Sequence, residues 1–301
     1  MKKKIIAKIS EGLGNQFFMY ANSYSMSKRF DLDFYIDPLS GYFKKNIRNY
    51  MLNNFNISSN IAPKNWIFDN HYSNFIKKIY IKLDLFKNNK SFLFEGKNSD
   101  KSTFYNPIKI ENTSNTFYID GNFESEKYFS DSRYDLLNEF SIPNCKKYFS
   151  NKYIDIINTH NVVSICIRQN RFSERVKNYS NIISIQQSNN FVKDTITYIK
   201  KAEKFIESKI ENPKYLVWSN DFNNLREYFP ENKYTFIINN DDKILQDFFL
   251  LKKCKYFIVG PTTFHWWGAW LSDFNDKICL RPKNLNPSNN IDFWPTSWIE
   301  I

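Results

Sequence analysis

A short glycine-containing segment near the N-terminus has the residue types of an anion-binding turn. Gly12 and Gly14 flank Leu13 and precede Asn15 and Gln16, between an apolar stretch of strand length and a helix-like pattern. Glycines permit a tight turn and a close approach of ligand to backbone, and a helix N-terminus attracts negative charge. The segment lacks the third glycine of the dinucleotide fingerprint and the Lys-Ser/Thr of a P-loop. A phosphate-binding turn and a purely structural turn therefore both remain open.

An arginine stands at the end of an apolar run in the second half of the chain. Residues 162–168 read VVSICIR, which is typical of a buried parallel strand that ends in a charge. The guanidinium group of Arg168 stays charged at any working pH and can hold a diphosphate through bidentate hydrogen bonds. A plain surface charge is the alternative. Cys166, two residues earlier, is interpreted as a small buried residue rather than a nucleophile.

A third group of polar residues opens a helix-like segment after the strand-like residues 255–260. Thr262 and Thr263 carry hydroxyl groups that could bind phosphate or cap the helix, and Phe264 follows them. His265 is the histidine nearest to these elements, and it is either a packing residue or a proton acceptor.

The elements that must position these residues alternate between strand and helix. Residues 4–10, 17–30 and 32–37 predict a strand, a helix and a second strand, which together make a βαβ unit. From about residue 150 the alternation repeats, which predicts a doubly wound parallel sheet. We therefore predict an α/β fold with two domains, residues 1–150 and 151–301.

Ligands of such sheets bind beyond the carboxyl ends of the strands. The candidate binding residues are therefore Gly12 to Gln16, Arg168, Ser219 to Asp221 and Gly260 to Phe264. Further predicted elements are a helix over residues 75–86, a strand over 117–120, a polar loop from 169 to about 188, a helix over 191–209, and a short helix over 221–229 with Asp221 as its N-cap.

Composition excludes several classes of protein. The 301 residues include 42 Lys and Arg against 31 Asp and Glu, and the net charge of +11 suits a phosphorylated substrate or an anionic membrane surface. Nucleic-acid binding is not expected, because no zinc-finger spacing or RNA-binding aromatic strand is present. No apolar run approaches the ~20 residues of a membrane span, and we expect no signal peptide. The scattered cysteines and histidines predict neither a disulfide framework nor a metal site.

Six colinear segments together resemble glycosyltransferase family 11, the α-1,2-fucosyltransferases. They are SEGLGNQFFMYA (10–21), RNYMLNNFNI (48–57), IDGNFESEKYF (119–129), VSICIRQNRF (163–172), VWSND (217–221) and DFFLLKKCKYFIVGPTTFHWWGAWL (247–271). The resemblance implies a GT-B-like architecture, with two Rossmann-like domains that face each other across a cleft. It assigns the acceptor to the N-terminal domain and the GDP-sugar to the C-terminal domain.

The resemblance also implies a reaction and a set of site residues. Family members transfer fucose from GDP-fucose to a sugar hydroxyl, usually the 2-hydroxyl of galactose, with inversion and without a metal or other cofactor. By position in the family's motifs, Arg168 neutralises the GDP phosphates. The other residues expected at the donor are Gly12, Gly14, Gln16, Ser219, Asp221, Thr262, Thr263 and Phe264, and those expected in catalysis besides Arg168 are Asn15, Glu124 and His265.

The chain departs from the family's pattern at several positions. Glu11 stands where the first glycine is usual, Cys166 where the motif has histidine, and Gln169 where it has a second arginine. Asn170 and Arg171 replace a Gly-Asp pair, Pro261 an asparagine and His265 a serine. Arg171 or Arg175 could offset the charge lost at Gln169. The group that accepts the acceptor's proton is open among Glu11, Glu124 and His265.

We expect an inverting, metal-independent glycosyltransferase of surface-glycan or O-antigen (lipopolysaccharide) synthesis. Its partners would be a GDP-sugar donor and an oligosaccharide or lipid-linked acceptor. We expect it in the cytoplasm, with peripheral contact at the anionic inner face of a bacterial inner membrane. The alternatives are a family relative that uses another GDP-deoxysugar, such as GDP-colitose, and a non-catalytic saccharide-binding protein.

Overall fold

The computed structural model describes residues 2–43, 48–83, 90–110, 114–174, 182–240 and 242–301. The chain divides into two compact units. Unit 1 is Met1–Pro143 with Ser288–Pro295, and unit 2 is Asn144–Pro287 with Thr296–Ile301. The sequence analysis placed a single boundary at residue 150 and did not anticipate the return of Ser288–Pro295 to unit 1. Polar pairing explains this return, because Asn290 donates to the Glu95 carboxylate and Asp292 forms an ion pair with Lys127.

The described part of unit 1 contains strands and helices that alternate near the N-terminus. The strands are β1 (Lys4–Lys8), β2 (Asp33–Asp37), β3 (Asn60–Ile61), β4 (Lys90–Phe94), β5 (Gly96–Lys97), β6 (Thr103–Phe104) and β7 (Thr116–Asp120). The α-helices are α1 (Leu13–Arg29), α2 (His71–Leu83) and α3 (Arg133–Glu139). Single 3₁₀ turns cover Leu52–Asn54, Lys64–Trp66, Glu126–Tyr128 and Ser130–Ser132.

In the described part of unit 2, helices and strands alternate over most of the chain. The helices are α4 (Ile154–Thr159), α5 (Ile182–Glu207), α6 (Lys243–Lys252) and α7 (Thr263–Trp270). The strands are β8 (Val162–Ile167), β9 (Lys214–Ser219), β10 (Tyr234–Phe236), β11 (Tyr256–Ile258), β12 (Ile278–Arg281) and β13 (Ile299–Glu300). Residues Cys145–Ser150 and Leu225–Glu227 form 3₁₀ turns.

Each unit is built on a parallel sheet. Over the described residues, the order in unit 1 is β3-β2-β1-β7-β4 and that in unit 2 is β10-β9-β8-β11-β12-β13, while β5 and β6 make a separate antiparallel pair. In both main sheets the chain moves outward from a central strand and then crosses to its other side. The strand order therefore switches between β1 and β7 in unit 1 and between β8 and β11 in unit 2. Such switch points leave a crevice at the carboxyl ends of the strands.

Burial explains why these segments form these elements. Every residue of β8 is buried, as expected for a central strand covered on both faces. Helix α5 buries Ile199, Ala202 and Ile206, whose spacing places them on one helical face against β8. Among the described helices, none is long and apolar enough to cross a membrane.

Two local predictions were wrong. The predicted polar loop up to residue 188 is partly helical, because α5 begins at Ile182 and hides Ser184 and Ser188 on its buried side. The helix predicted over residues 221–229 shrinks to the turn Leu225–Glu227. Asp221 does not cap it; its carboxylate instead accepts a hydrogen bond of 2.9 Å from the backbone N–H of Asn223.

Candidate functional site

Arg168 lies just beyond β8, at the switch point of unit 2. Its side chain is 22% exposed and forms a short ion pair with Glu174. Glu174 therefore neutralises Arg168 in this structure, and a diphosphate that used Arg168 would have to replace this carboxylate. The position fits the predicted role, which stays a prediction.

Gln169, the residue after Arg168, links two neighbouring loops through hydrogen bonds. The backbone N–H of Gln169 donates to Asn220 Oδ1 at 2.8 Å, and its Nε2 donates to the carbonyl oxygens of Asp221 and Asn223 at 2.9 and 2.8 Å. Ser219, which is buried, adds hydrogen-bond contacts at 3.0 Å to Ile167 O and 2.5 Å to Asp221 O. These bonds tie the loop after β8 to the loop after β9.

Arg171 and Arg175 were the expected substitutes for the charge missing at Gln169. Arg171 donates to the carbonyl oxygen of Pro287, and its guanidinium lies 5.2 Å from the centre of the Phe191 ring. It is thus anchored within unit 2 by contacts of its own. Arg175 lies outside the described residues.

The turn between β11 and α7 meets the end of β8 at very short range. A Cβ atom on Gly260 would lie 1.9 Å from the carbonyl oxygen of Cys166, so only glycine fits. The hydroxyl of Thr262 accepts a hydrogen bond from the backbone N–H of His265 at 3.1 Å and caps α7. Cys166 is buried, and this burial raises the pKa of its thiol to about 12, which excludes a nucleophilic thiolate.

His265 supports this turn from inside. The backbone N–H of Gly260 donates to Nδ1 at 2.9 Å, so the neutral ring carries its proton on Nε2, which is 3.0 Å from Ser164 Oγ. The side chain is fully buried, and burial lowers its pKa to about 3. The expectation that His265 accepts a proton from substrate is therefore corrected: its acceptor nitrogen is occupied and no surface of the ring is open.

A pH prediction follows from the lowered pKa of His265. The unfolded chain binds a proton on this ring below about pH 6.5, whereas the folded chain resists protonation down to about pH 3. Falling pH therefore favours the unfolded state. Between pH 7 and pH 5, the free energy of unfolding of the wild type should fall by about 2 kcal/mol more than that of His265→Gln. Denaturant titrations of both proteins at the two pH values measure this difference, and parallel losses would contradict it.

Thr263 and Phe264 begin α7 and are half-buried, so both present part of their surface to solvent. The Phe264 ring packs 5.8 Å from the centre of the Phe248 ring on α6. Trp266 and Trp267, which follow, are fully buried in the core. Thr263 and Phe264 are therefore the partly exposed residues of this turn, while the buried Thr262 caps the helix.

The glycine segment of unit 1 opens α1, with Gly12 as N-cap and without a side-chain cap bond. Gly14 is buried in the first turn and Asn15 is half-buried. Gln16 is fully buried: its Nε2 donates to Glu11 O and Asn49 O at 2.9 and 2.8 Å, and its Oε1 accepts from Met51 N at 2.9 Å. Gln16 thus joins two loops through its side-chain amide, and its predicted contact with the GDP-sugar stays a prediction.

Glu11 occupies the left-handed region of the backbone, with φ of 65°. Glycine adopts this conformation without steric cost, whereas other residues lose about 1–2 kcal/mol. The family's pattern has glycine at this position, and the geometry gives a physical reason for it. Gly12 itself needs no special conformation, since its φ is −77° and a Cβ there would contact only the Arg48 side chain at 3.9 Å.

Glu124 follows β7 in the IDGNFESEKYF segment. It is buried, and its carboxylate accepts a hydrogen bond from Ser288 Oγ. The neighbouring Phe123 has a φ of 53°, and its backbone N–H donates to Glu95 Oε2 at 3.1 Å. Glu95 therefore holds the turn that carries Glu124. The sequence analysis missed Glu95 because the region before β7 shows no clear pattern.

An ion pair between Lys8 and Asp120 joins the carboxyl ends of β1 and β7, and Lys77 of α2 adds a second. Asp120 accepts hydrogen bonds from Lys8 at 2.9 Å and Lys77 at 2.6 Å. Burial opposes ionisation of Asp120, but the two lysines outweigh it and hold its pKa below the usual range. Burial lowers the pKa of Lys77, whose ammonium also lies 4.5 Å from the Tyr118 ring centre. The sequence analysis assigned none of these three residues.

The described residues include no group of three or more His, Cys, Asp or Glu side chains arranged to hold a metal ion. Metal independence remains a prediction. The charges found at the two switch points are those of Arg168 with Glu174, and of Lys8 and Lys77 with Asp120.

Comparison with known proteins gives matches over nearly the whole chain. The model of glycosyl transferase family 11 matches residues 7–300. The O-antigen biosynthesis glycosyltransferase WbnK of Escherichia coli is 24% identical over 310 residues, covering 97% of this chain and 99% of the relative. An alpha-1,2-colitosyltransferase of Escherichia coli is 26% identical over 309 residues, covering 99% of this chain and 98% of the relative.

Solved structures of fucosyltransferases share the fold. The fucosyltransferase NodZ from Bradyrhizobium has a TM-score of 0.52 at 10% identity, with 89% of this chain and 92% of that chain covered. FUT1 of Arabidopsis thaliana, solved with GDP, has a TM-score of 0.54 at 11% identity, with 94% of this chain and 71% of that chain covered. The predicted α/β, GT-B-like fold is confirmed.

Proposed function

Because this chain belongs to glycosyl transferase family 11, we propose that it transfers a deoxysugar from a GDP-deoxysugar to a hydroxyl group of a glycan. The observation that carries the proposal is the family match over residues 7–300. Two full-length relatives support it, one named for O-antigen biosynthesis and one for transfer of colitose. Arg168 and the start of α7, at the switch point of unit 2, are where a nucleotide diphosphate would bind in such a sheet.

In this proposal, unit 2 stabilises the leaving GDP. Arg168 exchanges Glu174 for the diphosphate, and the N-terminus of α7, which begins at the half-buried Thr263, faces the same charge. These fixed positive and dipolar groups meet the charge that develops as the glycosidic bond breaks. His265 and Thr262 do not contact the donor in this proposal. They stabilise the Gly260 turn and the first turn of the helix.

In unit 1 we propose Glu124 as the proton acceptor, assisted by Asn15 as a polar contact. Glu124 stays a candidate because it is a carboxylate on the motif turn after β7, held by Glu95 through the backbone of Phe123. Gly12 and Gly14 leave the entrance of α1 without side chains. Ser219 and Asp221 serve the donor indirectly, by fixing the loop that follows Arg168.

The finer proposal is transfer of fucose from GDP-fucose to the 2-hydroxyl of galactose, in a surface glycan built at the cytoplasmic face of a membrane. The net charge of +11 supports peripheral contact with an anionic leaflet. GDP-colitose is the second candidate donor, which the colitosyltransferase relative favours. Relative kcat/KM values for the two donors, measured in one competition assay, decide between them.

Nucleotide selectivity tests the proposed class of donor. Calorimetric titration with GDP and with UDP, each with EDTA, should give saturable binding of GDP and at least about tenfold weaker binding of UDP. Equal or tighter binding of UDP would exclude a GDP-specific donor site. Binding of GDP without turnover of any GDP-sugar and galactoside would favour the non-catalytic saccharide-binding alternative.

Removal of metal ions should leave activity unchanged. Arginine and a helix N-terminus, rather than a cation, are proposed to neutralise the leaving diphosphate. Turnover of GDP-fucose in EDTA should therefore equal turnover in buffer with Mg²⁺ or Mn²⁺ within experimental error. A loss of activity in EDTA that Mn²⁺ restores would contradict the proposed mechanism.

A further inference from the structure

A pocket of about 170 Å³ opens in unit 1 beyond the carboxyl end of β1. Its walls include Lys8, Ser40, Phe43, Phe68, Asn74 and Lys77. Lys8 ends β1, and Ser40 and Phe43 follow β2, so the pocket lies beyond the carboxyl ends of parallel strands, where ligands of such sheets bind. Helix α2 closes one side with Asn74 and Lys77.

The lining of the pocket includes hydrogen-bond donors on Lys8, Asn74 and Lys77. Lys8 and Lys77 share the single carboxylate of Asp120, one ammonium on each oxygen. Each ammonium has three N–H donors, and within the described residues one of them is used on Asp120. Asp120 accepts from both ammonium groups and holds them side by side. Their other N–H donors match the hydroxyl oxygens of a sugar.

The arrangement of Lys77 makes this donor set a rigid one. The side chain is 6% exposed, and its ammonium lies 4.5 Å from the Tyr118 ring centre and 5.4 Å from that of Phe68. Burying a lysine is costly unless it is paired and fixed, as Asp120 and these rings fix it. Lys8 is less enclosed, with 25% of its side chain exposed.

The lining of the pocket also offers aromatic carbon. Phe43 and Phe68 belong to it, and the Phe68 ring packs at 5.1 Å against that of Tyr118. A pyranose combines an apolar C–H face with a rim of hydroxyl groups, so it suits a lining that combines aromatic rings with N–H donors. The pocket's volume of about 170 Å³ is on the scale of one such ring.

We propose that this pocket is the subsite for one pyranose residue of the acceptor glycan, bound by Lys8, Asn74 and Lys77 through its hydroxyl groups. As an acceptor site, this inference rests on the proposed function. Sugar binding by the pocket can nevertheless be measured without the donor and without catalysis. No residue of the pocket belongs to the donor site proposed above.

The test is ligand-observed NMR of the full chain with methyl β-D-galactopyranoside and with methyl β-D-N-acetylglucosaminide, without GDP-sugar. At least one sugar should bind the wild type, and Lys77→Met and Asn74→Ala should each raise its dissociation constant at least about fivefold. Lys78→Met is the matched control, because Lys78 is the exposed neighbour on α2. Melting temperatures of all variants separate loss of binding from loss of folding, and Asn74→Ala removes little packing.

The outcomes separate this inference from the proposed function. Absence of binding by both sugars, or equal binding by Asn74→Ala and wild type, overturns the subsite even if GDP binds. Sugar binding that Asn74→Ala and Lys77→Met weaken while Lys78→Met does not supports it. If that pattern appears in a chain that fails to bind GDP, the pocket is a sugar site and the proposed transfer is wrong.

Discussion

Replacement of Arg168 by alanine should lower kcat/KM for the GDP-sugar by at least about thirtyfold. The loss of one charge-assisted contact to the diphosphate is worth about 2 kcal/mol or more in the transition state. The side chain is only 22% exposed and ion-paired, so the stability of the variant is measured beside its activity. Steady-state kinetics of donor turnover, with a melting curve of each protein, measure the effect.

Two companion variants make this prediction sharper. Glu174→Gln removes the carboxylate that competes with the diphosphate for Arg168, and it should strengthen GDP binding. Arg226→Ala removes an exposed arginine of unit 2 that pairs with Glu231, and it should change neither binding nor turnover. Near-normal turnover by Arg168→Ala, or weaker GDP binding by Glu174→Gln, would refute the role of Arg168.

The second large effect is on stability. Gly260→Ala should lower the free energy of unfolding by about 3 kcal/mol or more, because the new methyl group would lie 1.9 Å from the Cys166 carbonyl oxygen. The methyl group is fixed to the backbone of residue 260 and the carbonyl group belongs to β8, so the clash can be relieved only by a shift of backbone. Denaturant titration should show the loss, and the melting temperature should fall by roughly 6–12 °C.

Gly12→Ala is the matched control for this prediction. A Cβ there would contact only the flexible side chain of Arg48 at 3.9 Å, and the backbone φ is −77°. We expect a change within about 1 kcal/mol, mostly from the poorer N-cap. If the two variants lose equal stability, close backbone approach is not what requires glycine at position 260.

The sequence predicted those parts of the fold that depend on local pattern. The continuous apolar run of β8 and the strand–turn–helix around Gly12 are visible without a structure, because burial on both faces and a helix start leave direct signals. The placing of Arg168 beyond a central strand follows from the same pattern. Helix α5 was predicted too short, since its first turns bury serines rather than apolar residues.

Side-chain roles within the site could not be predicted in the same way. Gln16, His265 and Ser219 look like ligand-binding residues in the sequence, yet their polar atoms hold loops and turns inside the protein. Long-range partners decide this, and no local pattern reports them. Lys77 and Glu95 were missed for the same reason. Lys77 binds Asp120 at the end of β7, and Glu95 binds the turn that follows β7.

Acceptor-dependent release of GDP is the most direct test of the central proposal, transfer of a deoxysugar from GDP to a glycan. The purified chain is mixed with GDP-fucose or GDP-colitose, with and without a galactoside, in EDTA. We predict that GDP release from one of these donors rises with galactoside concentration and that a glycoside heavier by one deoxysugar appears. GDP release that does not depend on any galactoside, or transfer only from UDP-sugars, would contradict the proposal.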